Sequence, residues 1–317
     1  MKRRLCLLGG LLALAMAQAQ PLSAPHMTII VGGPPGTPGD ALARALSEPL
    51  AREFGRPVMV ENKPGAAGTL ALAAVSRAAA DGSVLGIFAL QHAVAPQLVK
   101  AMPYDAQRDL SPVRQISTVS NLLVVRADSA LTDLAALLRQ AQHGRLTYAS
   151  GGMGTPSQLA AELFAQEVQR GLRHVPFNGP VAGLAALAGG HVDLMFATTP
   201  AALPLIHAGK LRPLAITAAQ RLAALPHVPT LAELGYPGAG LQDWHGVVAP
   251  AGTPAARIAN MADAIGQALA TPAVQQRLQS LGLEPLADSG PAQFGAFIEA
   301  ETDRWAAVMR RATGATQ

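Results

Sequence analysis

Gly-Thr-Pro occurs at Gly36-Thr37-Pro38 and again at Gly154-Thr155-Pro156, each time between a β-type run and a helical one. In both places the Thr is placed to act as N-cap, and the Pro takes the first helical position, where its missing N–H costs nothing. Three residues after each Thr comes Asp40 or Gln158, the spacing of a capping box. A helix starting there leaves free backbone N–H groups and the positive end of its dipole in the loop, which makes an anion site. The two threonines, 118 residues apart (155 − 37), can face each other across a cleft. A third triplet, Gly252-Thr253-Pro254, follows the β-type Val247-Val248 and reads only as a helix start, so capping alone accounts for any one triplet. What favours a binding site at the first two is glycine density: Gly32, Gly33, Gly36 and Gly39, then Gly151, Gly152 and Gly154. Glycine lets backbone approach a ligand closely.

Charge narrows the ligand. Asp40 is the only charged residue between Val31 and Ala43, none lies between Thr147 and Ala161, and Arg44 stands at the i+4 distance that pairs it with Asp40. An anion would therefore be held by N–H and hydroxyl groups, each charge-assisted bond contributing ~1.5–3 kcal/mol, enough for micromolar binding near −8 kcal/mol. That suits one carboxylate better than a trianion or a triphosphate. Other chemistries fit poorly. Gly33 to Asp40 lacks the consecutive Lys-Ser/Thr of a P-loop, and there is no Gly-x-Ser-x-Gly elbow. The eight histidines are spread singly, so neither a metal nor another cofactor is expected. His92 reads as a hydrogen-bonded loop histidine, while Trp244 and His245 either line a cleft or pack; no acid/base pair is visible.

The elements that must position these loops alternate between short β-type runs and helices. Strands are expected at Met27–Val31, Pro57–Val60, Val84–Ala89, Leu122–Val125 and Leu146–Ala149. Helices are expected at Asp40–Phe54 (kinked at Pro49), Thr69–Ala80, from a Thr132 cap to Gly144, and at Gln158–Val168. This order argues for an α/β architecture with mainly parallel sheets.

At the amino terminus Lys2, Arg3 and Arg4 precede an apolar run to Met16 and an Ala17-Gln18-Ala19 exit, the order of a cleaved signal peptide covering residues 1–19, with cleavage after Ala17 as the close rival. Removing the three cations leaves the formal charge of +4 near +1 (21 − 20), which gives no electrostatic footprint for nucleic acid or anionic lipid. The single cysteine, Cys6, falls inside that peptide, so the mature chain must rely on an apolar core; half of its residues are hydrophobic, and its size suits two lobes.

Further motifs run in order through the chain: Pro34-Pro35-Gly36-Thr37-Pro38-Gly39-Asp40, Val60-Glu61-Asn62-Lys63-Pro64-Gly65-Ala66-Ala67-Gly68, Asp81-Gly82, Pro103-Tyr104-Asp105 with Asp109-Leu110, and Gly154-Thr155-Pro156-Ser157. Val175-Pro176-Phe177, Gly189-Gly190-His191-Val192-Asp193, Pro229-Thr230 with Glu233, and Ala249-Pro250-Ala251-Gly252-Thr253-Pro254 follow. Together they resemble the extracytoplasmic binding proteins of tripartite tricarboxylate transporters, the Bordetella uptake gene (Bug) family.

That resemblance implies an α/β, two-lobed type II periplasmic-binding-protein fold with a hinge of two crossing strands. Residues 20–121 and 244–317 would form lobe 1, and 122–243 lobe 2. It implies a monomeric periplasmic receptor, not an enzyme, that closes on a small carboxylate and passes it to the inner-membrane permease subunits. Ligands in such a family range over di- and tricarboxylates, acidic amino acids and aromatic acids. Carried over by motif, the ligand would meet Gly36, Thr37 and Asp40 on one lobe and Ser150, Gly151, Gly154, Thr155 and Ser157 on the other, with Gln91 and Thr198 at its distal end. Asp40 would meet an ammonium group if the ligand were an amino acid, or else serve only its helix N-terminus. The chain departs from the family pattern where Thr37 replaces a glycine, Gln158 a histidine and Phe177 a tyrosine, and where Gly32-Gly33 replaces a Pro-aromatic pair. A periplasmic sensor for a kinase would use the same fold, and an enzyme acting on a small acid would need a base beside the clamp.

Overall fold

The computed structural model describes residues 26–144 and 146–314. The expected signal peptide and both cleavage positions lie outside them. Ten strands are described: β1 (Met27–Val31), β2 (Val58–Asn62), β3 (Val84–Ala89), β4 (Leu110–Arg126), β5 (Thr147–Ser150), β6 (Arg173–Pro176), β7 (Leu194–Thr198), β8 (Leu211–Ile216), β9 (Gln242–Pro250) and β10 (Leu283–Pro285). The helices are α1 (Pro38–Phe54), α2 (Thr69–Ser76), α3 (Leu90–Leu98), α4 (Leu134–His143), α5 (Pro156–Glu167), α6 (Pro180–Ala188), α7 (Thr199–His207), α8 (Ala255–Ala270), α9 (Pro272–Ser280) and α10 (Pro291–Gly314).

The strands join in the order β2-β1-β3-β9-β4-β7-β5-β6, with β8 and β10 also pairing β4. On one side β1 runs parallel to β2 and β3; on the other β5 runs parallel to β6 and β7. Between them β9 and β4 are antiparallel. The first part of β4 pairs with β9 and β10, and from Asn121 onward it pairs with β7 and β8. One strand thus belongs to both halves of the sheet, and polar residues are buried along it: Arg114, Gln115, Ser117, Ser120 and Asn121. Because both faces of β4 are covered, apolar alternation is lost, and only its apolar segment Leu122–Val125 is legible in the sequence.

Around β1 the packing follows directly from residue type. Ile29 and Val31 pack with α1, α8 and α9, while Ile30 faces α2, α3 and α10. A strand covered on both faces reads as a continuous apolar run. Leu42, Leu46 and Leu50 of α1 recur at i+4 and are fully buried. The helix continues through Pro49 to Phe54 and ends at Gly55, whose φ of 62° closes it in the left-handed conformation. The Trp244 and Trp305 indoles both donate to Glu301 Oε2, at 3.0 and 3.3 Å, tying α10 back onto β9.

Several expected boundaries move. β2 begins at Val58 and runs to Asn62, α2 stops at Ser76, and α5 begins at Pro156. The cap of α4 is Asp133 rather than Thr132: its Oδ1 accepts the Ala136 N–H at 2.7 Å. Asp133→Ala is expected to cost about 1 kcal/mol, measurable as a lower urea midpoint, whereas Thr132→Ala should leave the midpoint nearly unchanged.

Candidate functional site

In open α/β sheets the carboxyl ends of parallel strands open onto the binding crevice. Here β1, β3, β5, β6 and β7 each lead into a helix, and the starts of those five helices converge on one cavity of about 90 Å3. Its wall includes Pro38 and Gly39 of α1, Gln91 and His92 of α3, Pro156 and Ser157 of α5, Pro180 of α6, and Thr198, the residue that precedes α7. The first N–H groups of a helix have no partner within it, so the wall presents backbone donors and positive dipole ends from several directions.

The Gly-Thr-Pro loops share one construction. Thr37 and Thr155 are extended N-caps, but neither hydroxyl accepts a helix N–H. Instead Thr37 Oγ1 donates to the Pro34 carbonyl at 2.8 Å, and Thr155 Oγ1 to the Gly152 carbonyl at 2.7 Å. The expected capping box does not form: Asp40 Oδ2 accepts the N–H of Gly36 at 3.1 Å and Gln158 Oε1 that of Gly154 at 2.6 Å, in each case the residue before the cap, while the cap N–H groups turn to the Pro34 and Gly152 carbonyls. Thr253 Oγ1 donates to the Pro250 carbonyl in the same way and leads only into α8, as the sequence suggested for the third triplet.

Of the residues singled out by sequence, Thr37, Gln91, Gly151, Thr155, Ser157 and Thr198 line the cavity; Gly36, Asp40, Ser150 and Gly154 stand outside its lining. Asp40 is occupied: its carboxylate accepts from Gly36, Arg44 and Asn62. Burial pushes the Asp40 carboxyl up, but the hydrogen bonds from Arg44, Gly36 and Asn62 outweigh it and hold the group below its ordinary 3.8. A depressed acid stabilises the fold above its unfolded value and loses that contribution as pH falls through the folded one. Asp40→Ala is therefore expected to cost about 1–3 kcal/mol at pH 7, a gap that narrows below about pH 4 in paired urea titrations. Ser150 is fully buried, with its Oγ 2.6 Å from His174 Nε2 and accepting the Gly152 N–H at 3.0 Å; His174 in turn stacks on Tyr148.

Four buried polar atoms without a hydrogen-bond partner belong to residues of this wall: Ser157 Oγ, Thr198 Oγ1, His245 Nδ1 and His92 Nε2, the last lying beside Gly68 without good bonding geometry. Unpaired buried polar atoms are costly, so their collection on one cavity signals a ligand's place. His92 Nδ1 accepts the Ala89 N–H at 2.9 Å, which leaves the ring hydrogen on Nε2 as a donor. Burial lowers His92 to about 4, and burial together with the nearby His92 lowers His245 to about 3, so both rings are neutral at pH 7. Among the described residues no Lys or Arg lines the cavity, and its one acid is Asp243, which burial raises to about 8.

Sequence reasoning named Gln91 and Thr198 without expecting the helices α3 and α7 that start beside them, and it missed the start of α6 and Asp243. A signal for two of the helices was present: Gly179-Pro180 and Thr199-Pro200 repeat the proline-at-helix-start pattern. Asp243 and His245 interrupt the apolar run that ends β9, and alternation turns them to the face opposite Trp244.

Residues 42–313 match the model of the tripartite tricarboxylate transporter family receptor. Protein BugT of Bordetella pertussis is 35% identical over 324 residues, covering 99% of this chain and 98% of BugT. The structure of R. palustris Rpa4515 with adipate superposes with a TM-score of 0.84 at 32% identity, covering 90% of this chain and 96% of that one. MatC (Rpa3494) from Rhodopseudomonas palustris with bound malate gives 0.83 at 31% identity, covering 90% of this chain and 98% of that one. The α/β fold expected from the sequence is the fold of these binding proteins.

Proposed function

The chain belongs to the tripartite tricarboxylate transporter receptor family, and from that membership we propose that it is a periplasmic receptor that captures a small carboxylate and delivers it to the permease subunits of a tripartite transporter. The observation that carries this reading is the convergence of five helix starts on a cavity lined by no described Lys or Arg. Backbone N–H groups, the Ser157 and Thr198 hydroxyls and the His92 Nε2–H form a donor set suited to a carboxylate of low charge density. The adipate and malate held by the two structural relatives are acids of that kind.

The two lobes are residues 20–121 with 244–317, and 122–243, joined through β4 and β9. The cavity draws walls from both: Gly39 and His92 from the first, Ser157 and Thr198 from the second. Opening the lobes separates the helix starts, and closing them around an anion brings both sets into reach, so the closed shape reports occupancy to the permease. The protein acts as a monomer, and residues 1–19 direct it to the periplasm. No helix among the described residues is long and apolar enough to cross a membrane.

Ser150 with His174 makes the nearest thing to a nucleophile–base pair, but Ser150 Oγ is buried outside the cavity wall, where a substrate carbonyl does not reach it. Capture without turnover is the reading that follows. Thermal denaturation of residues 20–317 against mono-, di- and tricarboxylates, amino acids and aromatic acids tests it. A selective rise of several degrees at saturating ligand supports capture. Steady conversion of any of these acids, or no shift after the protein has been refolded free of ligand, overturns it.

A further inference from the structure

We infer that Asp243 is a specificity determinant of the cavity, and that the ligand carries a cationic group, an ammonium, as well as the carboxylate. This inference rests on the carboxylate-capture reading and extends it to the other end of the ligand.

Asp243 lies on β9 two residues before His245, about 7 Å of strand. His245 pairs with Ala89 at the start of α3, and its ring lies within ordinary contact of where a Cβ on Gly39 of α1 would stand. Asp243 therefore lines the cavity displaced along the strand from the helix starts that receive a carboxylate. Asp243 is 2% exposed, and its Oδ1 accepts the N–H of the adjacent Trp244 at 2.8 Å. Among the described residues no Lys or Arg pairs with it. The other titratable groups facing the cavity are His92 and His245, both neutral. Asp40 of α1 is bound to Arg44, and Glu301 and Arg304 of α10 pair with each other beside Trp244, on the opposite face of β9.

A buried carboxyl with no cation beside it either stays protonated or awaits a positive partner. A second ligand carboxylate at that end would add negative charge to a wall that holds no described cation. An ammonium would instead form a buried, charge-assisted pair and leave the ligand's carboxylate to the helix starts. The cavity is thereby complementary to a zwitterion: donors and positive dipole ends at one end, one acid at the other.

The test is calorimetric titration of the mature protein with acids paired by carbon skeleton: succinate with aspartate, glutarate with glutamate, butyrate with 4-aminobutyrate. The inference expects the amine-bearing member of at least one pair to bind tenfold or more tightly than its partner. It expects Asp243→Asn to erase that preference. It also expects the wild type to release a proton on binding at pH 7, read from titrations in buffers of different ionisation enthalpy, because the pair forms with ionised Asp243. The proton measurement needs no variant and so stands even where Asp243→Asn folds poorly. Equal or tighter binding of the plain acids, or proton uptake, overturns the inference and leaves carboxylate capture standing. Failure of every acid in the three pairs and in the wider panel to bind protein refolded free of ligand overturns both.

Discussion

Gly154→Val is expected to fold and to bind the ligand about a hundredfold more weakly. Gly154 sits at φ +73°, where a β-branched residue is strained, and a Cβ there would stand 2.5 Å from Leu98 Cδ1 of α3. In the proposed division Leu98 falls in the first lobe and Gly154 in the second, so on that reading the clash exists only when the lobes are closed. A single methyl can be met by turning the Leu98 tip, which makes Gly154→Ala the milder variant; the two further methyls of Val block that escape. Backbone strain is common to open and closed forms and lowers stability, whereas the clash lowers affinity alone. Disengaging the α5 start removes one or two charge-assisted bonds of ~1.5–3 kcal/mol each, which sets the hundredfold scale. Gly36 provides the contrast: its φ is +83°, but a Cβ there meets nothing within 4 Å. Gly36→Ala should cost stability and leave affinity nearly unchanged. Titration calorimetry beside urea denaturation separates the two effects. Wild-type affinity in Gly154→Val would remove lobe closure over this loop from the mechanism.

Asp243→Asn carries the largest expected effect on stability, and in the opposite direction to most substitutions. Burial raises Asp243 to about 8 from an ordinary 3.8. Between those values the unfolded chain has lost its proton while the folded one keeps it, so stability falls as pH rises from about 4 to about 8 and levels off above. The full difference is on the order of 5 kcal/mol, an upper figure for a group that relaxes or draws in water. The ligand-free Asn variant should thus melt several degrees above wild type at pH 8 and close to it at pH 4. A group on the cavity wall that destabilises the empty fold fits a ligand-binding role, since binding sites trade stability for function. Equal melting temperatures at pH 8 would mean that the Asp243 carboxyl is solvated or paired in solution.

The first loop and the second were legible because proline at a helix start after a glycine-rich turn has one common physical meaning. The same residues also misled. The Thr37 and Thr155 hydroxyls were free to turn back to the carbonyls three residues earlier, and the side chains of Asp40 and Gln158 satisfied the Gly36 and Gly154 N–H groups instead. Asp40, the one acid in the first loop, is spent on Arg44 and Asn62, the latter 22 residues away in sequence, a contact that no local spacing announces. β4 was visible only where it is apolar, since burial on both faces erases the alternation that marks a strand. Asp243 was invisible as a site residue for a related reason: its importance lies in the absence of a Lys or Arg around it among the described residues, which is a property of the folded cavity and not of any segment.

The most direct test of the central claim is a crystal structure of the protein with whichever acid gives the largest thermal shift. The account predicts the ligand's carboxylate oxygens within hydrogen-bonding distance of backbone N–H groups at the starts of α1 and α5, with the Ser157 and Thr198 hydroxyls and His92 Nε2 newly partnered. A carboxylate held elsewhere, or held chiefly by an arginine or lysine swung in from outside the cavity, would contradict it.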